Sequence, residues 1–192
     1  MIIEGKSIRS GEIMRLRPLD KEHMELKVKW YNDPVINKTL IIDEPLELDK
    51  SLVWIDKAIA DETRLDFIIE SVDGEPAGIV GLVGIDRKHG IAESFCIIGE
   101  KKFLGRSYAT IAHSLMFEYV FGKLDLQKIW AILYTNNPAI VKVVERLGYK
   151  IEGTLREEKC VHDKRIDLYR IGLLRREFTP CHTDYKFIPD DQ

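Results

Sequence analysis

Apolar and polar positions change period several times along the chain, and each change predicts an element. Ile13 to Pro18 alternates, with Met14 and Leu16 on one face and Arg15 and Arg17 on the other, which predicts a strand. Asp20 is a good N-cap for a helix over Lys21 to Tyr31, which Asn32-Asp33-Pro34 ends. Val35 to Leu48 keeps no period and reads as a loop with a helical turn. Asp49 then caps a second helix, Lys50 to Asp61, whose apolar side carries Leu52, Val53, Trp54, Ile55 and Ile59. Leu65 to Ser71 and Pro76 to Asp86 read as strands joined by an Asp73-Gly74 hairpin turn. The second is apolar on both faces, as a middle strand of a sheet is.

Ala92 to Ile98 is the next strand, and the stretch from there to Tyr119 organises the rest. A charged loop, Gly99 to Leu104, leads to the turn Gly105-Arg106-Ser107 and a helix with Tyr108, Ile111, Ala112, Leu115, Met116 and Tyr119 on one face. Gly105, Ser107 and Ala109 are small, so a ligand can reach the backbone where the first helical turn has unpaired N–H groups. Those donors, the helix dipole and Arg106 together suit a phosphate or pyrophosphate. Glycine and serine also occupy turns for purely local reasons, so the turn alone leaves that alternative open. No spaced glycine precedes a Gly-Lys-Ser/Thr, and no GxGxxG occurs, which sets aside two other phosphate loops.

Phe121 to Asp125 reads as a loop and Leu126 to Tyr134 as a strand. Asn137 and Pro138 open a helix with Ile140, Val143, Val144 and Leu147 on one face and Gly148 at its left-handed end. Tyr149 to Cys160 and Arg165 to Leu173 read as a hairpin about His162-Asp163-Lys164. Ile2-Ile3 is expected to form a short edge strand, and the tail from Thr179 to Gln192 to be loosely held. Helices first, then a mostly antiparallel sheet with helices packed on it, make an α+β (mixed α/β) domain.

With 192 residues, 45% hydrophobic and 32% charged, the chain has ordinary globular composition and suits one domain, residues 1–192. A net charge of −3 gives no general attraction to nucleic acid or to an acidic membrane. No apolar run approaches the roughly 20 residues of a membrane span, and Met1 to Gly11 lacks the apolar core of a signal peptide. Three scattered cysteines (Cys96, Cys160, Cys181) suit a reducing cytoplasm, and five histidines without metal spacing imply no metal.

Taken in order, Arg15-Leu16-Arg17-Pro18-Leu19, Trp30-Tyr31-Asn32-Asp33-Pro34, Gly99-Glu100-Lys101 with Gly105 to Thr110, Asn137 with Arg146-Leu147-Gly148-Tyr149, and Glu152 to Glu157 carry a resemblance. The chain resembles the GNAT acetyltransferases, in the branch of the ribosomal-protein N-terminal acetyltransferases, over about Ile13 to Phe178. The resemblance implies a mostly antiparallel central sheet that splays beside Ala92–Ile98, flanked by about four helices, with acetyl-CoA in the gap as co-substrate. Its pyrophosphate would lie on Leu104, Gly105, Arg106, Ser107, Tyr108, Ala109 and Thr110. Ile97 and Ile98 would offer backbone N–H groups to the thioester if that strand is bulged, and Asn137 would hold the pantetheine arm. Trp30, Tyr31 and Asn32 would line the acceptor pocket. The chain departs from the family at Ser107, where glycine is usual, and at Val144 and Ile140, where relatives carry the hydroxyl that protonates the leaving thiolate. Asn137, Tyr134, a water or the amine itself would then supply that proton.

Acetyl transfer needs a neutral amine, and an alkylammonium with a pKa of about 10 must first lose its proton. Glu93 is the one carboxylate within Ala92–Ile98 and stands where some relatives place the base, though a rim glutamate that merely hydrogen-bonds is the plainer alternative. Cys96 falls on the opposite strand face and reads as a core thiol. The expected partner is an amine acceptor: a protein N-terminus, or a small amine such as an amino sugar. Asp43, Glu44, Glu47 and Asp49 could instead draw a polyamine of the spermidine type. A catalytically silent CoA-binding module is a third possibility, and a homodimer is allowed.

Overall fold

The computed structural model describes residues 1–38, 40, 44–135, 138–161 and 163–189, with the side chains at 138 and 139 left out. Strands β1 (Ile2–Ser7) and β2 (Ile13–Pro18) precede a 3-10 turn at Lys21–His23 and helices α1 (Met24–Asn32), α2 (Pro34–Asn37) and α3 (Leu48–Ala60). Then come β3 (Leu65–Ser71), β4 (Pro76–Asp86) and β5 (Ile91–Ile98), followed by helix α4 (Tyr108–Lys123). Strand β6 (Lys128–Tyr134), helix α5 (Pro138–Arg146) and strands β7 (Lys150–Val161), β8 (Lys164–Leu174) and β9 (His182–Ile188) complete the chain.

Among the described residues the strands form one nine-stranded sheet in the order β7-β8-β6-β5-β4-β3-β2-β1-β9. Only β5 and β6 run parallel; every other neighbouring pair is antiparallel. Side chains alternate across each strand, so Phe67 and Ile69 of β3 enter the core beneath α4 while Ile68 enters a second cluster with Trp30, Met24 and Ile55. Helices α4 and α5 thus cover one face of the sheet, and α1 and α3 the other.

The parallel pair holds the position of the site. Strands β5 and β6 are in register only at Ile91↔Lys128, Ala92↔Ile129 and Glu93↔Trp130. Beyond Glu93, β5 stays with β4 to Gly78↔Ile98, while β6 stays with β8 to Tyr134↔Leu168. The sheet therefore opens between 94–98 and 131–134, the splay that the resemblance implied.

Several expectations change. Phe121 to Lys123, expected as part of a loop, continue α4. Ile2 and Ile3 belong to a strand between β2 and β9, not at the edge. The tail is no loose end: β9 pairs with β1, Phe187 stacks on Tyr119 at 5.5 Å between centroids, and Cys181 N–H donates to the buried Ser114 Oγ at 2.8 Å. Its prolines and acids flank the alternating Tyr185 and Phe187, which supply the apolar area. The second helix also begins earlier than Asp49, at Leu48 with Glu47 as its N-cap residue.

Candidate active site

The opened sheet encloses a cavity of about 390 Å³ that reaches both faces. Alternation along β5 sets Glu93, Phe95 and Ile97 toward α1 and α3, and Ser94 and Cys96 toward α4 and α5. On the α1/α3 side the lining includes Lys27, Tyr31, Trp54, Arg64 and Asp66; on the other it includes His113, Val144 and Tyr149.

The start of helix α4 is where an anion site was expected. Gly105 (φ 74°) and Ser107 (φ 67°) both take the left-handed conformation, which explains why glycine suits position 107 and what Ser107 must tolerate. The first ladder bond of the helix is Ile111 N–H to Ser107 O at 3.0 Å. Among the described residues nothing accepts from the N–H groups of Ser107, Tyr108, Ala109 and Thr110. Thr110 Oγ1 beside them is buried without a hydrogen-bond partner. Free donors and an orphaned hydroxyl at a helix N-terminus fit a pyrophosphate. Arg106 is not a free charge, because its guanidinium pairs with Glu12.

The backbone of β5 also differs from expectation. Its register against β4 is regular from Glu93 to Ile98, and the irregularity lies between Val83 and Asp86. Gly99 N–H donates to Ala77 O at 2.9 Å, so by alternation Ile97 N–H also turns to β4, while Cys96 and Ile98 N–H face the gap. The donor pair on the open side is thus Cys96 and Ile98.

Glu93 stands at the closed end of the splay, half-buried. Burial pushes its carboxyl above the usual range, and Arg170 and Lys159 partly offset this. Arg170 is held in place over the Trp130 ring, 3.4 Å from its centroid. The Tyr134 hydroxyl donates to Leu40 O at 3.0 Å, so it is already engaged on the α1/α3 side. Asn137, expected to touch the pantetheine and to cap α5, lies outside the described residues, as do Asp43 and His162. Burial pushes the Cys96 thiol up to about 12, which keeps it protonated and suits the core reading.

The three expected acceptor residues separate. Tyr31 lines the cavity. Asn32 instead bonds both backbone groups of Leu46, each at 2.8 Å, and so fixes the segment before α3. Trp30 is 1% exposed and donates its indole N–H to Glu100 Oε1 at 2.9 Å. Its ring lies flat on Gly99, where a Cβ would come within 2.1 Å. Gly99→Ala is expected to destabilise the fold by about 1–3 kcal/mol through overpacking, read as a lower urea midpoint. An unchanged midpoint would mean the indole moves aside freely.

Two site features had no sequence signal. Ser94 Oγ and Tyr149 Oη lie 2.7 Å apart in the cavity wall, joined across 55 residues of sequence. His113, on the buried side of α4, bonds Ala109 O at 2.9 Å, and burial pushes its pKa down to about 4. The unfolded chain then takes up a proton there near pH 6.5 that the fold refuses until about pH 4. Stability is fully present above that window and falls as pH drops through it, by up to about 1.4 kcal/mol per unit. His23 and His182 shift in the same direction. His113→Leu should flatten the slope of unfolding free energy between pH 6.5 and about 4; an equal slope in both proteins would clear His113.

Comparison with known proteins agrees with this geometry. Residues 14–150 match the acetyltransferase (GNAT) domain model. Spermidine N(1)-acetyltransferase of Escherichia coli K12 is 30% identical over 174 residues, covering 90% of this chain and 92% of that protein. A putative ribosomal N-acetyltransferase of Bacillus subtilis is 25% identical over 173 residues, covering 82% and 94%. The crystal structure of the Vibrio cholerae spermidine N-acetyltransferase with CoA and spermine superposes with a TM-score of 0.80 at 27% identity, covering 85% of this chain and 96% of that one. Free N–H donors opening α4, a sheet parted beside β5 and a match over most of its length place this chain in the GNAT acetyltransferase family.

Proposed function

We propose that the chain moves an acetyl group from acetyl-CoA onto the primary amine of a small acceptor, which enters from the α1/α3 face. The observation that carries this is the through-sheet cavity, with the free N–H groups that open α4 one turn from His113 in its wall and Glu93 at its closed end. Acetyl-CoA, when bound, supplies an activated thioester carbonyl. The chain's own groups do the rest.

The N–H groups from Ser107 to Thr110 hold the pyrophosphate, and Cys96 and Ile98 N–H point into the gap, where they can polarise a carbonyl oxygen. Glu93 takes the proton of the incoming ammonium, directly or through a water; its raised pKa brings it closer to the pH at which it must work. Holding amine and carbonyl in register is worth up to roughly 7–11 kcal/mol, so positioning supplies much of the rate. For the leaving thiolate, Val144 offers no hydroxyl, but the Ser94–Tyr149 pair lies in the same cavity wall. Burial holds the Tyr149 phenol well above its ordinary pKa, so it serves as a hydrogen-bond donor and not as an acid.

A polyamine acceptor is the second reading, favoured by the relatives that act on spermidine and by the neighbour with spermine bound. Three free cysteines suit a cytoplasmic setting. Release of free thiol from acetyl-CoA, measured over polyamines, amino sugars, amino acids and N-terminal peptides, tests the proposal. Thiol release with at least one class is expected. CoA binding without turnover of any class would leave a silent CoA-binding module.

A further inference from the structure

The acceptor half of the cavity contains a charge that acetyl transfer does not require. Lys27, on α1, is 8% exposed, and its ammonium sits over the Trp54 ring at 3.0 Å and beside Tyr31 at 5.7 Å from the ring centroids. Among the described residues no oxygen or nitrogen accepts a hydrogen bond from Lys27 Nζ. Asp66, whose charge acts on Lys27, already receives the Arg64 guanidinium on both oxygens, at 2.8 and 3.0 Å. Buried ammonium groups are normally paired, because three N–H donors facing rings lose their water without replacement. Burial holds this amine down to about 8; Asp66 pulls the other way, and Arg64 adds to the drop.

We propose that Lys27 receives a carboxylate of the acceptor, so that the substrate class is a primary amine joined to a carboxylate by an apolar spacer. The assignment rests on the reading of this cavity as the acceptor site. Glu93 and Lys27 carry opposite charges and line the same cavity, so an amino carboxylate matches both, its amine on Glu93 and its anion on Lys27. Trp54 and Phe95 give the spacer an apolar wall. A single ammonium with no hydrogen-bond acceptor among the described residues calls for one negative charge, which favours a carboxylate over a phosphate dianion. A polycation fits badly, since a second ammonium would be set against Lys27 and Arg64.

The test uses enzyme saturated with acetyl-CoA and three series of matched length: ω-amino carboxylates, plain alkylamines and α,ω-diamines, with spermidine added. The amino carboxylate should lead the matched alkylamine by about 10–100-fold in kcat/KM, the range of a charge-assisted hydrogen bond, and the diamine by more. The gain should lie in KM. Lys27→Met should bring the two values together, and Lys27→Arg should restore the preference. In the wild type the preference should fade above about pH 8 as Lys27 loses its proton; Arg64, Asp66, Tyr31, Tyr134 and Glu93 are the other ionisable groups on this side of the cavity, and Cys96, His113 and Tyr149 line the far side. In Lys27→Met the preference should not depend on pH there. Diamines or spermidine outrunning every amino carboxylate would overturn the Lys27 assignment alone, as would an unchanged preference in Lys27→Met. Failure of all amines to react would overturn the acceptor-site reading and this inference with it.

Discussion

Glu93→Gln is expected to lower kcat by about 10²–10⁴-fold, the usual range for a lost general base, with acetyl-CoA affinity nearly unchanged. Glutamine keeps the size and hydrogen bonding of the side chain but cannot accept a proton. The structure adds an electrostatic reason to choose this carboxyl. Burial raises its pKa, and Arg170, fixed against Trp130, pulls against that rise. The sign follows directly. Activity that depends on ionised Glu93 should fall as pH drops through its raised pKa, above the ordinary glutamate range. The variant should lose that acid limb and recover partly at high pH, where more of the acceptor is already neutral. A variant with wild-type rate and the same pH profile would make Glu93 a bystander. The base would then be water or a residue of the N-terminal segment.

Much of the frame was readable because it is local. Leu65–Ser71 and Pro76–Asp86 are strands with the expected ends, since the Asp-Gly turn between them and the apolar run of β4 are short-range signals. The turn that opens α4 was readable for the same reason: small residues and a helix start are adjacent in sequence. What escaped notice depends on pairs far apart. Lys27 looks like one more solvated lysine until α3 brings Trp54 over it and Asp66 is seen to be occupied by Arg64. Trp30 was expected in the acceptor pocket, and only its packing on Gly99 and its bond to Glu100, both far off in sequence, show it to be core. Tyr149 carried the family resemblance but gained no role, because its partner Ser94 lies 55 residues away on β5. The tail misled through composition: two prolines and several acids hid an alternation short enough to pair with β1.

Ala109→Asp is expected to abolish acetyl-CoA binding while the protein stays folded. Ala109 is the second residue of α4, between Tyr108 and Thr110, whose N–H groups have no acceptor among the described residues. A carboxylate there is compatible with the helix, because negative charge near the N-terminus stabilises it by about 0.3–1 kcal/mol. The unfolding temperature should therefore hold or rise. The same carboxylate occupies the donors that would bind the pyrophosphate and sets like charge against it. At an effective dielectric of about 20, two unit charges about 4 Å apart repel by roughly 4 kcal/mol, close to 10³-fold in affinity for one phosphate alone. Arg106 cannot relieve this, because Glu12 already holds its guanidinium. Ala109→Asn has nearly the same bulk without the charge and should retain part of the affinity. Calorimetric titration of CoA into both variants separates the effects. Equal losses would assign the change to bulk, and undiminished affinity in a folded Ala109→Asp protein would remove the pyrophosphate from the start of α4.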